Sequence, residues 1–125
     1  MKNSSNQRKK VLLVDDDEIH SLTAELCLKD EYDVYKIKSG HEAIKLLSNN
    51  DFIPDLIILD IIIPKMDGWE VFWKIKSISF LNNTPILFLT SVEGEEGKSR
   101  QFGAADYITK PLNMDLLKNT LKKYF

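Results

Sequence analysis

Short unbroken apolar runs punctuate an otherwise polar chain. Residues 11–14, 56–59 and 85–89 show no alternation of apolar and polar positions. That pattern marks strands covered on both faces, as in a parallel sheet buried beneath helices. Five residues of helix could read the same way, but Pro54 stands just before the second run and Pro64 and Gly68 just after it. They leave no room for a helix of ordinary length. Residues 34–37, where Tyr and Lys alternate with apolar positions, suit a sheet edge. Residues 106–109 form a last short strand, closed by Lys110-Pro111.

Helical spacing fills the intervals. After the acidic stretch 15–18 a helix is expected to about Asp30, with Ile19, Leu22 and Leu26 at helical spacing and Ala24, Cys27 and Leu28 beside them. Acidic residues in its first turn suit the positive end of the helix dipole. Ala43, Ile44, Leu46 and Leu47 mark a second helix, and Trp69, Phe72 and Ile75 a third over about 69–77. Residues 93–102 resist assignment, since Gly94 and Gly97 each lower helix propensity by roughly 1 kcal/mol. Residues 112–124 form a terminal helix with Leu116, Leu117 and Leu121 apolar. Strands alternating with helices predict a doubly wound parallel α/β sheet of five strands and five helices.

Composition narrows the class without naming it. The 125 residues are 43% hydrophobic and 29% charged, ordinary for one globular domain. No stretch has the roughly 20 apolar residues of a membrane span, and nothing resembles a signal peptide. A single cysteine, Cys27, excludes an internal disulfide and suits a reducing compartment, so a cytoplasmic location is expected. The net charge of −2 hides an asymmetry. Lys2, Arg8, Lys9 and Lys10 lie in an opening segment, residues 1–10, that reads as a flexible basic tail ahead of a domain over 11–125. With those four set aside, 13 basic residues face 19 acidic ones, a net of −6. An acidic body argues against nucleic acid as a partner.

The chemistry lies in where the strands stop. Asp15 and Asp16, Asp60, Thr90 and Lys110 all fall at the carboxyl ends of expected strands, the edge where open α/β sheets bind ligands. Three carboxylates at one point repel each other unless a cation sits among them. A small set of hard oxygens suits Mg²⁺. An aspartate can attack phosphorus to give an aspartyl phosphate, with lysine and a hydroxyl holding the phosphoryl oxygens. Each residue alone has a commoner bland use: the aspartates as a helix cap, Thr90 as a cap, Lys110 as a solvated side chain. Their joint placement favours a site. His20 and His41 have no second ligand at metal spacing and read as packing or surface residues. Trp69 and Phe72 read as core, Trp73 as one residue off that stripe, and Cys27 as a small buried hydrophobe.

The motifs Val-Leu-Leu-Val-Asp-Asp-Asp (11–17), Leu-Ile-Ile-Leu-Asp-Ile-Ile-Ile-Pro-Lys-Met-Asp-Gly (56–68), Pro-Ile-Leu-Phe-Leu-Thr-Ser (85–91) and Gly-Ala-Ala-Asp-Tyr-Ile-Thr-Lys-Pro (103–111) together resemble the receiver domain of two-component response regulators. That resemblance implies a flavodoxin-like strand order 2-1-3-4-5. It implies Asp60 as phosphoacceptor from a sensor histidine kinase or a phosphotransfer protein. Mg²⁺ would be held by Asp16, Asp60 and the backbone carbonyl of Ile62, with Asp15 acting through water. Thr90 and Lys110 would hold the phosphoryl group, Tyr107 would be the aromatic switch, and Lys110-Pro111 a cis junction. It further implies a switch rather than a turnover enzyme, acting on an unidentified output protein. The expected state is a monomer able to dimerise on phosphorylation, with no direct nucleic-acid or membrane contact.

Residues 91–102 are about two shorter than in many receivers, and the glycine common near Tyr32 is missing. A phosphorylation-independent interaction module on the same fold is the alternative. A flavin binder would need a Ser/Thr/Gly loop where Asp15, Asp16 and Asp17 stand. An aspartate-nucleophile phosphatase would want a carboxylate where Ile62 stands.

Overall fold

A parallel sheet needs a crossover to carry the chain back after each strand, and helices supply it throughout. The computed structural model describes residues 7–125. Its elements run β1 Lys10–Val14, α1 Glu18–Leu28, β2 Asp33–Ile37, α2 Gly40–Leu47, β3 Leu56–Leu59, α3 Gly68–Lys76, β4 Ile86–Thr90, α4 Glu96–Phe102, β5 Asp106–Thr109 and α5 Met114–Lys122, with a 3₁₀ turn Ser79–Leu81 before β4. The sheet order is β2-β1-β3-β4-β5, all pairs parallel. Fold class and strand order are as the sequence and its resemblance implied. Most of the expected tail lies outside the described residues. Of the rest, Lys10 already belongs to β1, and Arg8 donates to the carbonyls of Lys29 and Tyr32 in the turn between α1 and β2.

The pleat sends alternate residues to two cores. Leu12 and Val14 of β1, with Ile57, Leu59 and Phe88, pack under α2 and α3 against Ala43, Leu47, Val71, Phe72 and Ile75. Val11 and Leu13, with Ile58, Leu87 and Ile108, pack under α1 and α5 against Ala24, Cys27, Leu28, Leu117 and Leu121. Cys27 is buried as expected.

Helix α1 is phased differently from its large aliphatics, and α5 departs from expectation only at Leu116. In α1 the buried residues are Ser21, Ala24, Cys27 and Leu28, while Ile19, Leu22 and Leu26 are 76%, 48% and 50% exposed. In α5 Leu117, Thr120 and Leu121 face inward and Leu116 is exposed. Small side chains such as Ser21 and Ala24 let α1 lie close on the sheet, so Ile19, Leu22 and Leu26 fall on its outer face, whereas α5 buries Leu117 and Leu121. Residues 93–102 resolve into a loop and the short α4. Gly94 turns the loop at φ +87° and Gly103 ends the helix at φ +102°, both in the region that favours glycine.

The order reverses between β1 and β3, which opens a crevice at their carboxyl ends. Val14 pairs with Leu59, so Asp15 and Asp60 leave the sheet side by side. Thr90 pairs with Thr109, so Thr90 and Lys110 leave it on the neighbouring strands.

Candidate functional site

Each acid is fixed by the turn that follows its strand. Asp15 Oδ1 accepts from the Asp17 amide at 2.9 Å. Asp17 then caps α1, accepting from the amides of Ile19 and His20 at 2.9 and 3.0 Å. Asp60 Oδ1 accepts from the Ile62 amide at 3.1 Å. The loop after Asp60 folds back so tightly that a Cβ on Gly68 would lie 2.2 Å from the Asp60 carbonyl oxygen and 2.5 Å from Ile61 Cα. Only glycine fits there. Lys110 follows β5, its amide donating to the Thr90 carbonyl at 2.8 Å, with the Lys110-Pro111 bond cis.

These elements bring one ammonium between two buried carboxylates. Lys110 Nζ lies 2.8 Å from Asp15 Oδ2 and 2.9 Å from Asp60 Oδ2. Asp15 and Asp60 are 2% and 6% exposed. Burial alone would lower the Lys110 pKa, but its hydrogen bonds and charge pairing with both aspartates outweigh that and hold it above the usual lysine range. Asp15 is pushed up from the ordinary carboxylate value by burial, reinforced by the charge on Asp60, against hydrogen bonds from Lys110 and Asp17. One cation cannot neutralise both acids.

Asp16 adds a third carboxylate on the wall of an open cleft of about 820 Å³. Asp60, Lys110, His20, Ile62, Pro64 and Ser91 also line it. No three His, Cys, Asp or Glu side chains among the described residues gather into a ready-made cage. Mg²⁺ does not need one: it takes one or two carboxylates and keeps several waters. Asp15, Asp16 and Asp60 against Lys110 leave two uncompensated negative charges, all on hard oxygen, so the donor set fits a small divalent cation.

The other side of the site adjoins the loop after β4. Thr90 is fully buried, and its Oγ1 accepts from the Val92 amide at 3.3 Å. The Val92 carbonyl accepts the Tyr107 hydroxyl at 2.6 Å. Further along the same loop Glu95 accepts the Trp69 indole N–H at 2.7 Å. Trp69 packs against Phe72, Phe88 and Phe102 and is only partly buried, whereas Phe72 is fully buried and Trp73 half exposed. Thr90 and Tyr107 therefore meet at the two ends of one residue's backbone, away from the direct Asp15–Lys110–Asp60 contacts.

One member of the cleft, His20, is expected from the sequence only as a packing or surface residue. His20 Nδ1 lies 2.9 Å from Lys110 Nζ. A signal was present: His20 stands three residues after the cap Asp17, and side chains at those two positions share a face at the helix entrance. His41 is exposed on α2, outside the cleft.

Residues 11–122 match the family model described as the response regulator receiver domain. The chain is 34% identical over 121 residues to the transcriptional regulatory protein CrdR of Helicobacter pylori, covering 94% of this chain and 55% of that protein. It is 40% identical over 111 residues to the cell cycle response regulator CtrA of Brucella ovis, covering 86% and 46%. The chain thus spans about half the length of these curated relatives. Its structure superposes on the Vibrio cholerae chemotaxis protein CheY4 with a TM-score of 0.85 at 31% identity, covering 95% of this chain and all of that one. The receiver domain of the sensor histidine kinase PA1611 of Pseudomonas aeruginosa, solved with a magnesium ion coordinated in its active-site cleft, superposes with a TM-score of 0.83 at 25% identity, over 94% and 98% of the two chains.

Proposed function

The chain belongs to the response regulator receiver domain family, and from that premise we propose that it is a cytoplasmic phosphorylation switch with Asp60 as the phosphoacceptor. The observation that carries the reading is the buried Lys110 ammonium shared between Asp15 and Asp60. Asp60 Oδ attacks the phosphorus of a phosphohistidine on a sensor histidine kinase or phosphotransfer protein. The new O–P bond forms as the P–N bond breaks, and the imidazole nitrogen leaves with the bonding pair and takes up a proton. Lys110 moves one N–H from Asp60 to a phosphoryl oxygen, and the Thr90 hydroxyl donates to another.

Asp16, Asp60 and the Ile62 carbonyl would hold Mg²⁺ directly and Asp15 through water, and the ion supplies charge neutralisation on the phosphoryl oxygens. Once Thr90 turns to the phosphoryl group it leaves the Val92 amide, and Tyr107 follows the loop through its bond to the Val92 carbonyl. The partner is expected to land on the exposed Ile19, Leu22 and Leu26 of α1, because Ile19 also lines the cleft. The output protein is read on the face that carries α4 and Tyr107, with the domain a monomer able to dimerise when phosphorylated.

Incubation with acetyl phosphate and Mg²⁺ is expected to add the mass of one phosphoryl group to the intact protein, and Asp60→Asn to abolish the addition. Equal labelling of both proteins would remove Asp60 from the role. No labelling of either would favour a phosphorylation-independent interaction module.

A further inference from the structure

Three N–H groups of the Lys110 ammonium meet three acceptors. Two are Asp15 Oδ2 and Asp60 Oδ2, and the third is His20 Nδ1 at 2.9 Å. Lys110 has only donors to offer, so the contact requires an unprotonated Nδ1. The imidazole is then the neutral tautomer with its proton on Nε2. Asp17 Oδ2 stands 3.5 Å from the same nitrogen. Pairing with it would need a proton on Nδ1, so the two contacts exclude each other, and the shorter one to Lys110 sets the arrangement.

We propose that His20 is a positioning residue for phosphoryl transfer, holding Lys110 from the α1 side of the cleft through its unprotonated Nδ1. The inference rests on the reading of Asp60 as phosphoacceptor. When Asp60 attacks, Lys110 must give up one hydrogen bond to Asp60 and offer that N–H to the incoming phosphoryl group. Its aim during this exchange depends on the acceptors that do not react. Asp15 is one. His20 is the other, and it is uncharged, so it orients the ammonium without adding negative charge against an anionic donor. A third carboxylate at that place would hold Lys110 as well but repel the phosphoryl group. His20 sits at the mouth of the cleft with its side chain 47% exposed, so it can be replaced without disturbing the core.

Asn carries Oδ1 where His carries Nδ1, keeping an acceptor at that place, whereas Leu keeps the volume and removes the acceptor. With a small phosphodonor such as phosphoramidate, which needs no protein docking, His20→Leu is expected to label Asp60 about five- to tenfold more slowly than wild type, the loss of one hydrogen bond to a charged group at a partly exposed site. His20→Asn should regain most of the rate at an unchanged thermal midpoint, which a merely structural role would not give.

¹⁵N NMR of the unphosphorylated protein provides a readout free of activity. Nδ1 of His20 should report as unprotonated, and the Lys110 Nζ protons should be slowed in exchange in wild type and His20→Asn but not in His20→Leu. A His20→Leu rate within twofold of wild type, or a His20→Asn rate as low as that of His20→Leu, overturns the role while leaving Asp60 as acceptor. A proton on Nδ1 overturns it whether or not Asp60 is ever phosphorylated.

Discussion

Tyr107 donates its hydroxyl to the carbonyl of Val92 at 2.6 Å, while the amide of that same Val92 donates to Thr90 Oγ1. One residue of backbone therefore links the strand that bears the Thr90 hydroxyl to the strand that bears the Tyr107 ring. Tyr107→Phe removes the first bond and leaves the second. It is expected to cost about 0.5–1.5 kcal/mol in urea unfolding and to leave labelling of Asp60 by acetyl phosphate within twofold of wild type. A large fall in labelling would mean that the ring positions the acceptor itself.

The same phenol sets an alkaline limit. Burial, with the charges of Glu95, Glu96 and Asp60, pushes Tyr107 up to about 12, and burial with the Asp106 hydrogen bond does the same for Tyr124. An unfolded tyrosine ionises near pH 10. Between those values the unfolded chain gives up protons that the folded chain keeps, so stability is full below about pH 10 and falls as pH rises towards 12. Urea midpoints measured across that window should decline in wild type and decline less steeply in Tyr107→Phe.

Asp16 is the exposed carboxylate of the set, whereas Asp15 is already engaged by Lys110 and the Asp17 amide. Asp16→Ala is therefore expected to weaken Mg²⁺ binding by at least about tenfold in calorimetric titration, and Asp15→Ala by less, as loss of a direct ligand compared with one acting through water. The opposite ranking would exchange their roles.

Gly68 packs without a side chain against the carbonyl of Asp60 and the Cα of Ile61. Gly68→Ala must push the loop off the end of β3. The expected cost is about 1–3 kcal/mol or more, together with slower labelling of Asp60, because its backbone is what moves. Wild-type stability in Gly68→Ala would show that the loop relaxes freely.

Hydrolysis of an aspartyl phosphate needs a water aligned opposite the aspartate oxygen. Ile62 is 61% exposed on the cleft wall and can neither orient nor deprotonate one. Val92 instead packs its side chain against the core beneath α3. Slow self-dephosphorylation is expected, quickened severalfold by Ile62→Asn alone. Val92→Glu should chiefly cost stability, by placing a charge where Val92 packs partly buried against the core. Following phosphate release from the two variants separates these effects.

The central strands and the strand-end acids were legible in the sequence because burial on both faces leaves an unmistakable apolar run. A carboxylate at the end of such a run has few places to go. The face of α1 was not legible from hydrophobicity alone, whereas that of α5 was, Leu116 excepted. Ser21 and Ala24 lie inward because closeness to the sheet favours small side chains, and Ile19 and Leu22 are left outside. Helix α4 was hidden by its glycines. Its N-terminus has no side-chain cap, and it is held instead through Phe102 stacked near Trp69 and Trp73. His20 carries no signal of this contact in the sequence because its partner, Lys110, is 90 residues away.

The indole bond from Trp69 to Glu95 has an optical consequence. Trp69 does not line the cleft, yet it grips the loop that Thr90 and Val92 anchor at its other end. Its emission colour and quenching are thus a built-in gauge of that loop, distinct from the half-exposed Trp73, which faces solvent on α3. Replacing Trp73 by Phe leaves Trp69 as the single tryptophan, and with excitation at the red edge, where tyrosine does not absorb, the protein then carries its own dye for that loop.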